Sequence, residues 1–228
     1  MINAARARRC LDCAEFAYLD RSKLNAALRG VGIALLQFYE REDTQAFLAF
    51  ADGELYLSFP GTASLGDVLS DLNYVKDDFE GGGRVHQGVL RQFRLVEPLI
   101  AADLRDFKNT PLNVTGHSLG AGNAQLAGVR FEATERYVFG SLRVGNSDFV
   151  RAVNYPLTRF EHRTDPVTFL PPRTSPRQVA HALWHGRFPT LYDRAGTVIL
   201  TDGNLHRMVH YRPSVTNYLN ELERLMAT

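Results

Sequence analysis

Along the first 30 residues, apolar positions recur at helical spacing. Cys10, Cys13, Ala14, Ala17 and Tyr18 fall on one stripe, and Gly30 and Gly32 punctuate its end. The pattern then shortens to strand-like runs. The first is 33–39, and 45–51 and 54–59 flank Asp52-Gly53, a two-residue hairpin signal that gives the sheet an antiparallel beginning. Beyond it the two periods alternate. Leu65, Val68, Leu69 and Leu72 share one face of a short amphipathic helix, 65–72, with Asp67 and Asp71 off that face. A glycine-rich loop, EGGGR, leads into a long helix faced by Val89, Phe93, Val96, Ile100, Leu104 and Phe107, with a kink near Pro98. Strands at 112–115, 136–139 and 158–163 alternate with helices from about 119 and near 148–154. A second hairpin pairs 188–192 with 197–201 through DRAG. The closing helix presents Val215, Tyr218, Leu219, Leu222 and Leu225, with Pro213 in its first turn.

Helices alternating with buried strands predict an α/β fold with a mostly parallel sheet covered on both faces. At 228 residues, the chain reads as one domain, 1–228, with one sizeable core. Bulk properties narrow the function by exclusion. The formal net charge of +1 lacks the basic surplus of a nucleic-acid binder. No apolar run approaches the roughly 18 residues of a transmembrane span. The opening MINAARARRCLDCAEFAYLD has charges scattered through it and no apolar stretch of a secretory signal. The expected location is therefore the cytoplasm, or outside by an export route that reads no N-terminal signal. Cys10 and Cys13 form a lone CxxC without a second CxxC or βαβ context, so they read as buried helical residues rather than a redox or zinc site.

Chemistry concentrates in PLNVTGHSLGAGNAQLAG, 111–128, where a strand-like run stops at a glycine and a helix begins. GHSLG matches G-x-S-x-G in the strand-to-helix context that gives this motif meaning. A nucleophile on so sharp a turn has strained torsions, and its neighbours two residues either side must lack bulk. The turn lifts the Ser118 hydroxyl above the sheet, at the positive end of a helix dipole.

A serine hydroxyl needs a base, and the base needs a third group to fix its tautomer. In such sheets the order is Ser, then Asp or Glu, then His. Asp165, directly after the strand at 158–163, is the favoured acid; Asp148, Asp193 and Asp202 are alternatives in a helix cap and in turns. His206, in DGNLHRMVHY after the last strand, is the favoured base. His210 reads as already helical, and His181 and His185 precede the final hairpin. His117 should point away from the site as a packing residue, while His86 and His162 read as structural. The i, i+4 pairs HALWH and HRMVH lack the glutamate of a zinc protease, so no metal is expected, nor any other cofactor.

Five blocks then carry a resemblance: LSFPGTASLGDVLSDL (57–72), RVHQGV (84–89), VTGHSLGAG (114–122), RVGNSDF (143–149) and RTDPVTFLPP (163–172), followed by the His-x-Met-x-x-Tyr spacing of LHRMVHY. In this order the chain resembles the class 3, or fungal-type, lipases of the α/β-hydrolase fold. The resemblance implies Ser118 as nucleophile, Asp165 and His206 as acid and base of a triad, and an oxyanion hole from Thr62 and Leu119. It implies a lipase acting on triacylglycerol or other fatty-acyl esters at a lipid–water interface, with no protein partner. Phospholipase A1 or a feruloyl-type esterase is the alternative within the chemistry; a non-catalytic hydrolase-fold binding protein is the alternative outside it. Three departures stand out: Val68 where fungal members carry a lid tryptophan, Pro60 for a common arginine, and Ala121 for a second glycine. The apolar face at 65–69 reads equally as a short lid and as a helix packed on the core.

Overall fold

A computed structural model describes residues 2–62, 75–153, 156–171, 195–201 and 206–227. Helix α1 (Ala4–Phe16) and helix α2 (Arg21–Gly30) replace the single N-terminal helical stretch. The break is local chemistry: the Asp20 carboxylate caps α2 by accepting the Lys23 N–H at 3.0 Å. Gly32 then turns the chain at φ 74° into strand β1 (Ala34–Arg41). Strands β2 (Thr44–Ala51) and β3 (Glu54–Phe59) form the expected hairpin, and Asp52 and Gly53 both take the positive φ, 54° and 80°, that a two-residue turn of this hand requires.

A small ribbon, β4 (Lys76–Asp78) with β5 (Arg84–His86), precedes the long helix α3 (Gln87–Leu104), which carries Pro98 in its interior. Strand β6 (Leu112–His117), helix α4 (Leu119–Arg130), strand β7 (Glu135–Phe139), helix α5 (Ser147–Ala152) and strand β8 (Leu157–His162) follow within two residues of the expected bounds. Strand β9 (Thr197–Thr201) joins the sheet parallel to β8, from Thr158 opposite Thr197 to His162 opposite Thr201. The first arm of its expected hairpin, 188–192, lies outside the described residues, as does the expected helix at 65–72. The main sheet runs β1-β2-β3-β6-β7-β8-β9, antiparallel over its first three strands and parallel from β3 onward. This is the α/β-hydrolase-type architecture, with β6 near the centre.

Strand alternation sorts the core into two layers. Leu55, Leu57, Phe59, Leu112 and Val114 face α3 and α4; Tyr56, Tyr137, Phe139 and Phe160 face α1, α2 and the closing helix α6 (Met208–Met226). Polar residues on the second face are tied to α1: the Ser58 and Thr115 hydroxyls donate to the Cys13 and Cys10 carbonyls, each at 3.0 Å. Cys10 and Cys13 are themselves buried, unbridged and pushed up in pKa by burial, in keeping with packing residues. One expectation is corrected here. Helix α6 begins at Met208, so Pro213 lies inside it rather than in its first turn. Burial of Met208 and Tyr211 against the α1 layer sustains the extra turn, and tertiary packing overrides the proline signal.

Candidate active site

The carboxyl ends of the parallel strands carry the candidate residues. Thr62 lies just past β3, Ser118 caps α4 after β6, Asp165 follows β8, and His206 lies between β9 and α6. Ser118 holds φ 58° and ψ −122°, a region that costs a non-glycine residue on the order of 1–3 kcal/mol. Its N–H donates to the Phe139 carbonyl at 3.0 Å, while its hydroxyl makes no capping bond to its own helix. The flanking glycines are required by contact. A Cβ at Gly116 would lie 2.5 Å from the Gly120 backbone, and one at Gly120 would lie 2.2 Å from the Phe59 carbonyl. Strand β3 and its Pro60-Gly61 extension therefore press directly on the start of α4. A Cβ at Gly61 would stand 3.0 Å from the Ser118 Cβ, which places the segment leading to Thr62 against the serine. Leu119, first residue of α4, carries one of the amides that helix geometry leaves without an intrahelical acceptor.

His206 and Asp165 meet. Histidine Nδ1 lies 2.7 Å from Asp165 Oδ2, and both side chains are buried. The same oxygen accepts the Tyr211 hydroxyl at 2.7 Å, and Oδ1 accepts the Val167 N–H at 2.9 Å. Burial pushes the carboxyl pKa up, but these bonds, from His206 above all, outweigh it and hold Asp165 below its usual range. Tyr211 is fixed in turn: its oxygen accepts the His162 N–H at 3.0 Å, and its ring stacks on the His162 ring at 3.8 Å. On the far side of the His206 ring, Nε2 is buried with no hydrogen-bond partner among the described residues. Such an atom is costly unless something arrives to use it.

His117 sits on the α1 face of β6, as strand alternation demands, but it does more than fill space. Its ring lies 4.6 Å from the His206 ring and bonds to Tyr18 and to the His206 backbone. Burial, then the nearby charge of His206, pushes its pKa down to about 3. The other candidates stand apart. Asp148 is exposed in the first turn of α5, paired with Arg151. His210 is exposed on α6, and His86 caps α3 through the Gly88 N–H at 3.1 Å. Asp193, Asp202, His181 and His185 lie outside the described residues. Sequence reasoning missed Tyr18, which nothing local marks, and gave Tyr211 a spacing but no contact.

Comparison with known proteins follows the same lines. The family described as Lipase (class 3) matches residues 56–175. A lipase of Rhizopus niveus is 30% identical over 152 residues, covering 58% of this chain and 39% of the relative. The secreted mono- and diacylglycerol lipase A of Penicillium cyclopium is 29% identical over 144 residues, covering 57% of this chain and 47% of the relative. The chain thus spans less than half the length of these curated relatives. Among solved structures, the lipase from Rhizopus microsporus var. chinensis superposes with TM-score 0.63 at 27% identity, covering 75% of this chain and 71% of the other. The Rhizomucor miehei triacylglyceride lipase reaches TM-score 0.71 over 88% of this chain and 80% of the other; at 23% identity, that likeness speaks for the fold.

Proposed function

Because the chain belongs to the class 3 lipase family, whose model covers more than half of its length, we propose that it is a serine carboxylester hydrolase acting on fatty-acyl esters. The observation that carries this reading is the buried His206. Its Nδ1 is held by Asp165, its Nε2 is unpartnered among the described residues, and its ring packs beside the residue preceding Ser118.

In the proposed reaction, His206 Nε2 takes the Ser118 proton as Oγ attacks the ester carbonyl. The carbonyl oxygen becomes an oxyanion held by the Thr62 and Leu119 N–H groups, each worth roughly 3 kcal/mol of barrier. As the tetrahedral species collapses, the C–O bond to the alcohol breaks and the alcohol leaves with the proton from His206. Water then gives its proton to His206, adds to the acyl-enzyme, and releases the acid with Ser118 restored. Asp165 keeps the Nδ1–H tautomer and stabilises the imidazolium. The names of the relatives, lipase and mono- and diacylglycerol lipase, support glycerol esters as substrates. Exposed Phe169 and Val209, near Asp165 and His206 in the chain, support presentation at a lipid–water interface.

A fluorophosphonate probe should label Ser118, and p-nitrophenyl esters and emulsified triglycerides should be hydrolysed. His206→Ala should fall to background while His210→Ala retains substantial activity. Absence of labelling would favour the non-catalytic binding protein, and the reverse histidine result would reassign the base. A jump in rate above the substrate solubility limit is expected for interfacial action; smooth saturation would indicate an esterase for dissolved substrates.

A further inference from the structure

Two side chains at the site take no part in the chemistry above, the buried His117 and the partly exposed Tyr18, and they are joined. Tyr18 lies just past the end of α1, and its hydroxyl packs against Gly61, where a Cβ would meet it at 2.4 Å. The same hydroxyl stands 2.6 Å from His117 Nδ1, and His117 Nε2 stands 2.5 Å from the His206 carbonyl. A carbonyl only accepts, so Nε2 carries the imidazole proton. Nδ1 is then an acceptor, and the Tyr18 O–H donates to it. Donation runs in one direction, from the Tyr18 hydroxyl through His117 to the backbone of His206, with Gly61 packed against the tyrosine oxygen.

The ends of this chain of contacts matter. Gly61 is the residue before Thr62, and His206 is the proposed base. Building on the hydrolase reading, we infer that Tyr18 and His117 are positioning residues that lock the oxyanion loop and the catalytic base into one register. Neither touches the reacting atoms. Packing removes slack at both ends. A Cβ at Gly61 would lie 2.4 Å from the Tyr18 oxygen and 2.8 Å from the His117 carbonyl, and the His117 and His206 rings are 4.6 Å apart at 31°. The downward-shifted pKa of His117 keeps its ring neutral at working pH, so it does not oppose the positive charge that His206 gains in each cycle.

The test combines kinetics with imidazole nitrogen NMR on the full chain. ¹⁵N-histidine spectra should show His117 as the Nε2–H tautomer from pH 8 to pH 5, with the Nδ1 resonance moving in Tyr18→Phe. Tyr18→Phe and His117→Asn should each lower kcat about 10- to 100-fold, the scale of a small misplacement of reacting groups, with KM within about twofold. The double variant should lose no more than His117→Asn alone. His117→Gln, whose amide N–H can reach the His206 carbonyl, should recover much of the loss. An Nδ1–H tautomer, kcat within about twofold of wild type in both single variants, or equal damage from Gln and Asn tracking only the unfolded fraction would each overturn the inference. Wild-type protein that shows the Nε2–H tautomer but neither turns over esters nor labels at Ser118 would instead sink the hydrolase reading, and the positioning role with it.

Discussion

The two edges of the parallel sheet handle polar groups in opposite ways. At the amino ends of the strands, Arg6 of α1 bridges Glu54 at 2.6 Å and Glu135 at 2.7 Å. Asn113 adds a bond to Glu54 at 2.8 Å, and the Tyr137 hydroxyl donates to Glu135. The Arg6 bond leads in lowering the Glu54 pKa. Charge there is partly exposed and met by protein. At the carboxyl ends, the Asp165 carboxylate is met by the His206 ring and the Tyr211 hydroxyl. Two polar groups are held back: the Ser118 hydroxyl caps nothing, and His206 Nε2 has no partner among the described residues. One edge is closed upon itself; the other is left one molecule short of complete.

Substitutions should break the two edges differently. The largest effect is expected at Ser118→Ala, with loss on the order of 10⁶-fold in kcat, measured with a soluble p-nitrophenyl ester. Asp165→Asn should follow at roughly 10⁴-fold, because an amide at that position stabilises the wrong histidine tautomer; circular dichroism should show the fold retained. Acid should then expose the contrast in stability. His117 and His86 have native pKa values of about 3 and about 4. Between those values and the ordinary histidine range, the unfolded chain binds protons that the native protein does not. Stability therefore falls as pH drops from about 6.5 to 4, by up to about 1.4 kcal/mol per pH unit for each imidazole. Urea unfolding across that window should show the slope, and His117→Gln should flatten it. Arg6→Met should cost about 1–2 kcal/mol of stability and leave kcat within about twofold. The smallest effect tests stored strain: Ser118→Gly should be more stable than Ser118→Ala by about 1 kcal/mol.

Local signals made much of this legible. Asp52-Gly53 announced its turn, and the GHSLG glycines announced the crowded bend that the Gly116 and Gly120 contacts explain. Asp165 was readable because it closely follows the strand that ends at His162, and Pro166 stops further pairing. What escaped were contacts between distant segments. Tyr18 meets His117 across 99 positions, and the helical stripe that placed Tyr18 beside Cys13 gave no hint that its hydroxyl looks toward the sheet. Strand alternation correctly turned His117 away from the serine, but that face holds the His206 backbone as well as apolar packing. Pro213 misled because proline chemistry is local, whereas the start of α6 is set by Met208 and Tyr211 burying against a layer built 200 residues earlier.

Helix α1 touches both edges, with Arg6 near its start and Tyr18 just past its end. The separation along the axis, roughly 18 Å at the α-helical rise, equals the roughly 20 Å of a six-residue strand. The helix is a gauge block cut to the width of the sheet. One residue inserted between Arg6 and Phe16 would lengthen it by about 1.5 Å and twist one end by about 100° against the other. With Arg6 still clamped at the acidic edge, the tyrosine would swing off its histidine, and a change made far from any reacting atom would be felt at the serine.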